Sequence, residues 1–320
     1  MSAEQPQEQI QDERVYVNGK LHEEYQYLDL LQKIIEKGHK RQTRNAITYS
    51  LFGEKLEYDI SESFPILTTR KVFLRGIFEE LKFFLLGKTD SKWLEERGVN
   101  FWKGNTSREF LDNIGLNHYR EGTMGPMYYY NVFHYGHPYE TADTDYTNAG
   151  HNQFEYVMKL LKEDPHSRRI LWTVYNPSVI HQSVLLPCHS LLCQFYVGEG
   201  HKLSCSVTHR STDLGCGMTV SLSSYSLLVY IMCDLLNNDE TYNGPKFTPG
   251  KIIMMMNDTH VYSEHLESAL TQISRKPFPF PKLILKKKLM NLKEIEQLEF
   301  TDIELVNYQC HEPIKYQMVA

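Results

Sequence analysis

Leu185-Leu186-Pro187-Cys188-His189-Ser190-Leu191-Leu192-Cys193-Gln194-Phe195-Tyr196-Val197 sets a cysteine directly after a proline and runs on into an apolar stretch ending in aromatic and β-branched residues. Proline fixes its own φ and has no N–H for a ladder, so it marks the entry to a strand rather than its centre. A thiol at that point sits where a strand begins, at the edge of a cavity. Alone, Pro-Cys-His also reads as a small buried hydrophobe beside a surface histidine. The rest of the chain has to decide between the two.

A chain of 320 residues can bury a large core, as one domain or two fused ones. Its 41% hydrophobic and 23% charged content is ordinary for a globular protein, and 21 tyrosines make it rich in rings. A net charge of −6 argues against a general nucleic-acid or membrane surface. Six cysteines without a Cys-x-x-Cys pair outline neither a metal site nor a disulfide framework, so no metal is expected. Charges break every long apolar run, so no membrane segment or signal peptide is expected, and the setting is cytoplasmic or nuclear.

Met1 to about Asp12 is polar and reads as a disordered tail, with a tail over 1–24 and one domain over 25–320. Tyr27, Leu30, Leu31, Ile34 and Ile35 follow helical spacing, stopped by Gly38. Ala46 to Asp59 predicts two strands around Gly53, and Phe64 to Thr69 an extended connector. Val72 to Leu86 is an apolar helix in which one carboxylate of Glu79-Glu80 must approach the buried face. Short helices follow at Ser91 to Gly98 and Ser107 to Asn113, then a loop rich in Tyr, His and Asn from Tyr128 to Ala149. Asn152 to Lys162 is helical. Ile170–Val174, Cys193–Val197, Leu203–Thr208, Ile252–Met256 and Leu283–Leu285 are strand candidates. Ser221 to Leu236 is a long central helix, and His260 to Ser274 another. The alternation predicts an α+β fold, a single domain with a large mixed β-sheet packed by helices.

Several stretches carry chemistry in a fixed order. They are Phe64-Pro65-Ile66-Leu67-Thr68-Thr69, Gly76-Ile77-Phe78-Glu79-Glu80-Leu81, Gly125-Pro126-Met127-Tyr128, Ser167-Arg168-Arg169, Leu186-Pro187-Cys188-His189, Gln194-Phe195-Tyr196-Val197, Leu203-Ser204-Cys205, Arg210-Ser211-Thr212-Asp213 and Asp258-Thr259-His260-Val261-Tyr262. In this order and spacing the chain resembles the thymidylate synthase family, from about Tyr25 to Met318-Val319-Ala320. The resemblance implies one-carbon transfer and reduction at C5 of deoxyuridylate, with 5,10-methylenetetrahydrofolate as cosubstrate. C5 is a poor nucleophile, so a thiolate must first add at C6. Cys188 matches that nucleophile, and an arginine cluster favours the thiolate.

By the same resemblance, Arg168, Arg169 and Arg210, with Ser211, form a phosphate clamp. Arg168 and Arg169 reach across a dimer interface, so a homodimer is expected. Glu80 organises water and proton transfers, and Tyr128 is linked to removal of the C5 proton. His260 and Tyr262 bind the sugar hydroxyl. On the folate side, Asp213 holds the pterin and Trp102 packs beside it.

The departures fall on substrate-facing positions. Ser221 stands where the family reads uracil with an asparagine, and a hydroxyl cannot reproduce an amide's paired donor and acceptor. His209 replaces a glutamine, and Asn131-Val132-Phe133 replaces Gln-Trp-Arg. Thr43-Arg44-Asn45 does not reproduce the family's Arg-Thr-Gly loop, so neither Arg41 nor Arg44 aligns with the fourth phosphate arginine. One extra residue lies between Cys188 and Gln194, which predicts a bulge near Leu191-Leu192. Two further readings follow: a nucleotide hydroxymethylase acting on a related pyrimidine nucleotide, and a catalytically impaired nucleotide-binding paralogue. A hydrolase using His189 on Cys188 is set aside, because neighbours on a strand face opposite sides.

Overall fold

The computed structural model describes residues 14–44 and 46–317. Its strands are β1 (Tyr16–Val17), β2 (Lys20–Leu21), β3 (His39–Gln42), β4 (Ile47–Asp59), β5 (Leu171–Trp172), β6 (Leu192–Gly198), β7 (Lys202–Asp213), β8 (Thr248–Tyr262), β9 (Lys282–Leu285) and β10 (Ile303–Val306). Its helices are α1 (Tyr25–Lys37), α2 (Leu74–Leu85), α3 (Lys92–Glu95), α4 (Arg108–Asn113), α5 (Tyr129–Phe133), α6 (Gln153–Glu163), α7 (Gly217–Asn238) and α8 (Leu266–Ile273).

The main sheet has six strands in the order β3-β4-β8-β7-β6-β5. β8 runs antiparallel to β4 and parallel to β7, which makes the sheet mixed as expected. Period-two alternation sorts its faces. In β6, Cys193, Phe195 and Val197 turn inward, whereas Gln194 and Tyr196 turn out. Helix α7 packs on the inner face against β7 and β8 and meets α2 on its other side. It is buried on most sides, its serines included, because the core surrounds it. By length and composition alone α7 could cross a membrane, which the sequence reading did not anticipate, yet 78% of that window is buried within the fold. The outer face is open and leaves Phe52 82% and Tyr196 70% exposed.

Several expected elements differ. The chain expected as a tail up to residue 24 folds from Arg14 on: β1 and β2 form a hairpin, and Glu24 is fully buried. The carboxylate of Glu24 accepts N–H bonds from Thr68 and Thr69 at 2.9 Å and from both their hydroxyls at 2.6 Å. Those donors are what draws a charged side chain inside. The tail reading of Met1–Asp12 lies outside the described residues.

Ala46 to Asp59 gives one strand, not two. Gly53 adopts φ +84° and is passed over in the ladder between Phe52↔Asp258 and Glu54↔Met256, so the strand kinks without ending. His260 to Tyr262 ends β8 instead of opening a helix. Thr259 and Val261 both point into the core, and the helix proper begins at Leu266. The loop expected from Tyr128 contains the short helix α5.

Candidate active site

Cys188 lies just outside β6, on the segment the proline introduces. Its carbonyl accepts the Arg210 N–H at 2.9 Å, pinning the segment to β7. Leu191 N–H donates to Thr208 O at 3.0 Å while Leu192 is the ladder partner of Thr208, so two residues oppose one. That is the expected bulge, and Ser190 absorbs the excess chain at φ +50°. The Arg210 guanidinium donates to Pro187 O at 3.0 Å and Leu186 O at 2.8 Å, bracing the backbone just before the thiol.

Across from the thiol, Gly125 turns at φ +78°, where a Cβ would fall 2.1 Å from Gln182 O. Only glycine lets the two backbones pass so closely. The Asn131 amide donates to Pro126 O at 2.8 Å and Val174 O at 3.1 Å, holding the same turn from below. Tyr128 follows at φ +47°, and its hydroxyl reaches 3.5 Å from Cys188 Sγ. Burial, with the neighbouring thiol adding to it, pushes the phenol well above its ordinary pKa, so it stays protonated.

The Tyr128 ring is packed by Trp102 at 5.7 Å and Phe84 at 5.3 Å, and it stacks on His189 at 4.5 Å. Trp102 Nε1 donates to Glu80 Oε1 at 2.7 Å. Burial lifts the Glu80 carboxyl to about 7, and only the Trp102 bond opposes the lift. Both carboxylates of the pair are buried, where one was required. Glu79 turns the other way, 3.7 Å from Arg97.

A second group of residues rides on the parallel pair. Ser211, Thr212 and Asp213 on β7 register with Asp258, Thr259 and His260 on β8. The Asp213 carboxylate accepts N–H bonds from Gly215 at 2.8 Å and Cys216 at 3.3 Å and keeps a partly exposed edge. Asp258 takes a salt bridge from Arg41 at 2.8 Å and faces His260 Nδ1 at 3.5 Å, orienting that ring. Burial pushes the Tyr262 phenol up to about 12; Asp213, Cys216 and Cys188 add to the push and Arg44 opposes it.

The structure thus gathers Cys188, Tyr128, Glu80 and Trp102 into one wall and Arg210, Ser211, Asp213, His260 and Tyr262 into the adjoining one. Ser221 is buried on α7 one turn before Tyr225, on the same helix face. Arg168 and Arg169 are exposed on the turn between α6 and β5, and among the described residues neither guanidinium bonds into the thiol pocket.

His189 and Tyr225 were missed. Cys188 to Ser190 lies outside the strand, so the alternation that excluded His189 does not apply there. Its ring joins the thiol wall through Tyr128 and bonds Tyr225 Oη at 2.8 Å, not Cys188. Burial drops its pKa to about 4, so it is neutral. Among the described residues, no three His, Cys, Asp or Glu side chains are grouped to hold a metal.

Comparison with known proteins points to one family. Residues 25–320 fit the family described as thymidylate synthase. The thymidylate synthase of human herpesvirus 8 is 42% identical over 93% of this chain and 85% of its own length. That of Candida albicans is 40% identical over 92% of this chain and 97% of its own length. A bifunctional dihydrofolate reductase-thymidylate synthase of Paramecium tetraurelia is 40% identical over 96% of the chain, which spans only 63% of that longer protein. A thiol strand, a buried carboxylate and a profile that runs from the first helix to the last residue lead to one conclusion: this chain belongs to the thymidylate synthase family.

Proposed function

We propose that the thiol pocket methylates C5 of deoxyuridylate, taking both carbon and hydride from 5,10-methylenetetrahydrofolate. One observation carries the reading: Tyr128 Oη stands 3.5 Å from Cys188 Sγ, in a wall shared with a carboxyl poised near 7. Cys188 adds to C6 of the pyrimidine, which makes C5 nucleophilic. A phenol that stays protonated suits a hydrogen-bond donor beside the sulfur, and it takes up the C5 proton only as another group relays it onward. Glu80, its carboxyl lifted to about 7 by burial, changes protonation near neutral pH and serves the proton transfers.

The folate supplies the one-carbon unit and the reducing equivalent when bound. The partly exposed edge of Asp213 suits a ring rich in N–H donors, and a buried Trp102 beside Tyr128 suits a role in excluding water, which supports the methylating reading over a hydroxymethylase. Arg210 keeps N–H donors free of its two carbonyl partners for a phosphate. Arg44 is exposed and carries no salt bridge among the described residues, whereas Arg41 is committed to Asp258, which makes Arg44 the better candidate for a further phosphate contact. His260 and Tyr262 hold the sugar.

Arg168 and Arg169 complete the clamp in a second copy. The open sheet face offers a broad concavity of about 810 Å³ beside Tyr196, Gln194 and Ile253 for the homodimer contact. Six unpaired cysteines suit a reducing cytoplasm.

The test is incubation with methylenetetrahydrofolate and either deoxyuridylate or deoxycytidylate, following dihydrofolate and identifying the nucleotide product. Thymidylate with dihydrofolate is expected, and Cys188→Ser abolishes it while leaving nucleotide binding. A hydroxymethyl product, or full activity without the thiol, would overturn the reading.

A further inference from the structure

After β10 the chain runs from Asn307 to Gln317 without a helix or strand, yet it is tied to the body along its length. A segment of that kind stays ordered only through the contacts its own groups make. His311 N–H donates to Thr68 O at 2.8 Å, the Arg275 guanidinium to Glu312 O at 2.7 Å and the Ser268 hydroxyl to Lys315 O at 2.9 Å. Next comes Tyr316, whose ring meets the turn that carries Asp213.

The Tyr316 hydroxyl donates to Gln272 Oε1 at 2.8 Å, the Gln272 amide to Thr69 Oγ1 at 2.9 Å, and the Thr69 hydroxyl to the buried Glu24 carboxylate at 2.6 Å. Every donor in that chain points toward one anion, so neighbouring bonds strengthen each other. The hydroxyl thus fixes where the ring lies. The Arg70 guanidinium sits 4.3 Å from the ring centroid, and it donates onward to Gly215 O and, at 3.2 Å, to Thr219 Oγ1. His265 meets the same ring edge-on at 5.2 Å. Gly215 permits this approach, because a Cβ there would fall 2.5 Å from Tyr316 Cδ1 and 2.7 Å from His265 Nδ1. Its φ is not left-handed, so the glycine is needed for space rather than for conformation.

Both neighbours of the ring act on Asp213. Gly215 N–H donates to its carboxylate, and His265 Nδ1 lies 3.7 Å from Oδ1. His265 Nε2 donates to Gln317 O at 2.7 Å, which ties the imidazole to the segment and leaves Nδ1 facing the carboxylate. Cys216, the second N–H donor to Asp213, gives its thiol hydrogen to Tyr316 O at 3.6 Å.

We propose that Tyr316 is a positioning residue for the folate side of the site: it holds Asp213 in the direction that meets the pterin, acting through His265 and the Gly215 turn. The proposal rests on the folate chemistry inferred above. A carboxylate that accepts from N–H groups fixed in a ring has to be aimed, because a hydrogen bond weakens steeply as its angle closes. The Gly215 and Cys216 amides already hold one oxygen each, so the aim of the free lone pairs follows the turn.

The experiment compares the wild type, Tyr316→Ala and Tyr316→Phe by steady-state kinetics with each substrate varied, by hydrogen exchange of residues 214–217 in the ligand-free protein, and by thermal unfolding. All three proteins should unfold cooperatively. In Tyr316→Ala the KM for methylenetetrahydrofolate should rise about tenfold or more, whereas kcat and the KM for deoxyuridylate should stay within about threefold. The Gly215 and Cys216 amides should exchange about tenfold faster. Tyr316→Phe keeps the ring and loses only the bond to Gln272, so it should recover most of both effects. A KM that rises equally for both substrates would make Tyr316 merely structural and overturn the proposal, as would unchanged exchange at Gly215 and Cys216, a readout that needs no turnover. A wild type that neither binds nor turns over methylenetetrahydrofolate would instead overturn the functional reading, and the proposal with it.

Discussion

Trp102→Phe removes a single hydrogen bond from the buried carboxyl while keeping a ring to pack against Tyr128 and Phe84. The Trp102 N–H bond favours the ionised form of Glu80, and burial favours the protonated one. A hydrogen bond to a charged group contributes about 1.5–3 kcal/mol, and Glu80 is buried, so solvent does not screen the loss. At 1.36 kcal/mol per pH unit, the Glu80 midpoint moves upward by about one to two pH units. The pH profile of kcat/KM for deoxyuridylate, read by dihydrofolate absorbance, should show a limb near 7 in the wild type. In Trp102→Phe that limb should lie near 8 to 9, in keeping with the shift just estimated, and in Glu80→Gln it should vanish. Stability gives an independent check. The folded protein holds the Glu80 proton more tightly than the unfolded chain, so this group's contribution is lost as pH rises from 4.5 to about 7. In the variant the loss should continue to higher pH. A limb that stays near 7, or moves acidic, would refute the link between Trp102 and Glu80.

Two other outcomes are expected. Glu24→Leu leaves two buried backbone N–H groups of Thr68 and Thr69 unpaired, for a loss of about 2–6 kcal/mol at about 1–3 each. Urea unfolding with unchanged slope would measure it, and a loss below about 1 kcal/mol would show that the threonines find other acceptors. On the proposed homodimer with Arg168 and Arg169 serving the second copy, mixing Cys188→Ser and Arg169→Ala proteins, each inactive alone, after brief partial unfolding should restore activity, because a hybrid dimer would rebuild one intact site. No recovery would place the arginines in their own subunit's pocket, or nowhere near one.

The sequence carried the thiol loop well. A proline before Cys188 and a surplus residue after it predicted both the strand entry and the bulge, since each is a local constraint on the backbone. A buried carboxylate was legible in the Glu79-Glu80 pair of an apolar helix, but the resemblance, not the pattern, singled out Glu80; Trp102 is its partner in the fold. Other features were not local. His260 and Tyr262 alternate with Thr259 and Val261 over too few residues to separate a strand end from a helix start; pairing with β4 and β7 decides it. Glu24 looks like a polar tail residue until Thr68 and Thr69 are brought to it from far along the chain. His189 was lost to the alternation rule, because a left-handed Ser190 releases the thiol segment from strand geometry. Arg168 and Arg169 have no legible place in one copy at all.

Arg210 has a consequence of a mechanical kind. A guanidinium is one rigid plane with five N–H groups, and two carbonyls just before the thiol already hold one edge. Whatever anion takes the free edge therefore pulls on the same plate that carries the nucleophile's backbone. If Arg210 takes the phosphate as proposed, its arrival would be transmitted to the sulfur through about three residues of chain rather than through space. A nucleoside lacking its phosphate would enter the same cavity but leave that plate unloaded, and the thiol would meet it unaligned. A lysine could carry the charge of Arg210, but not the lever.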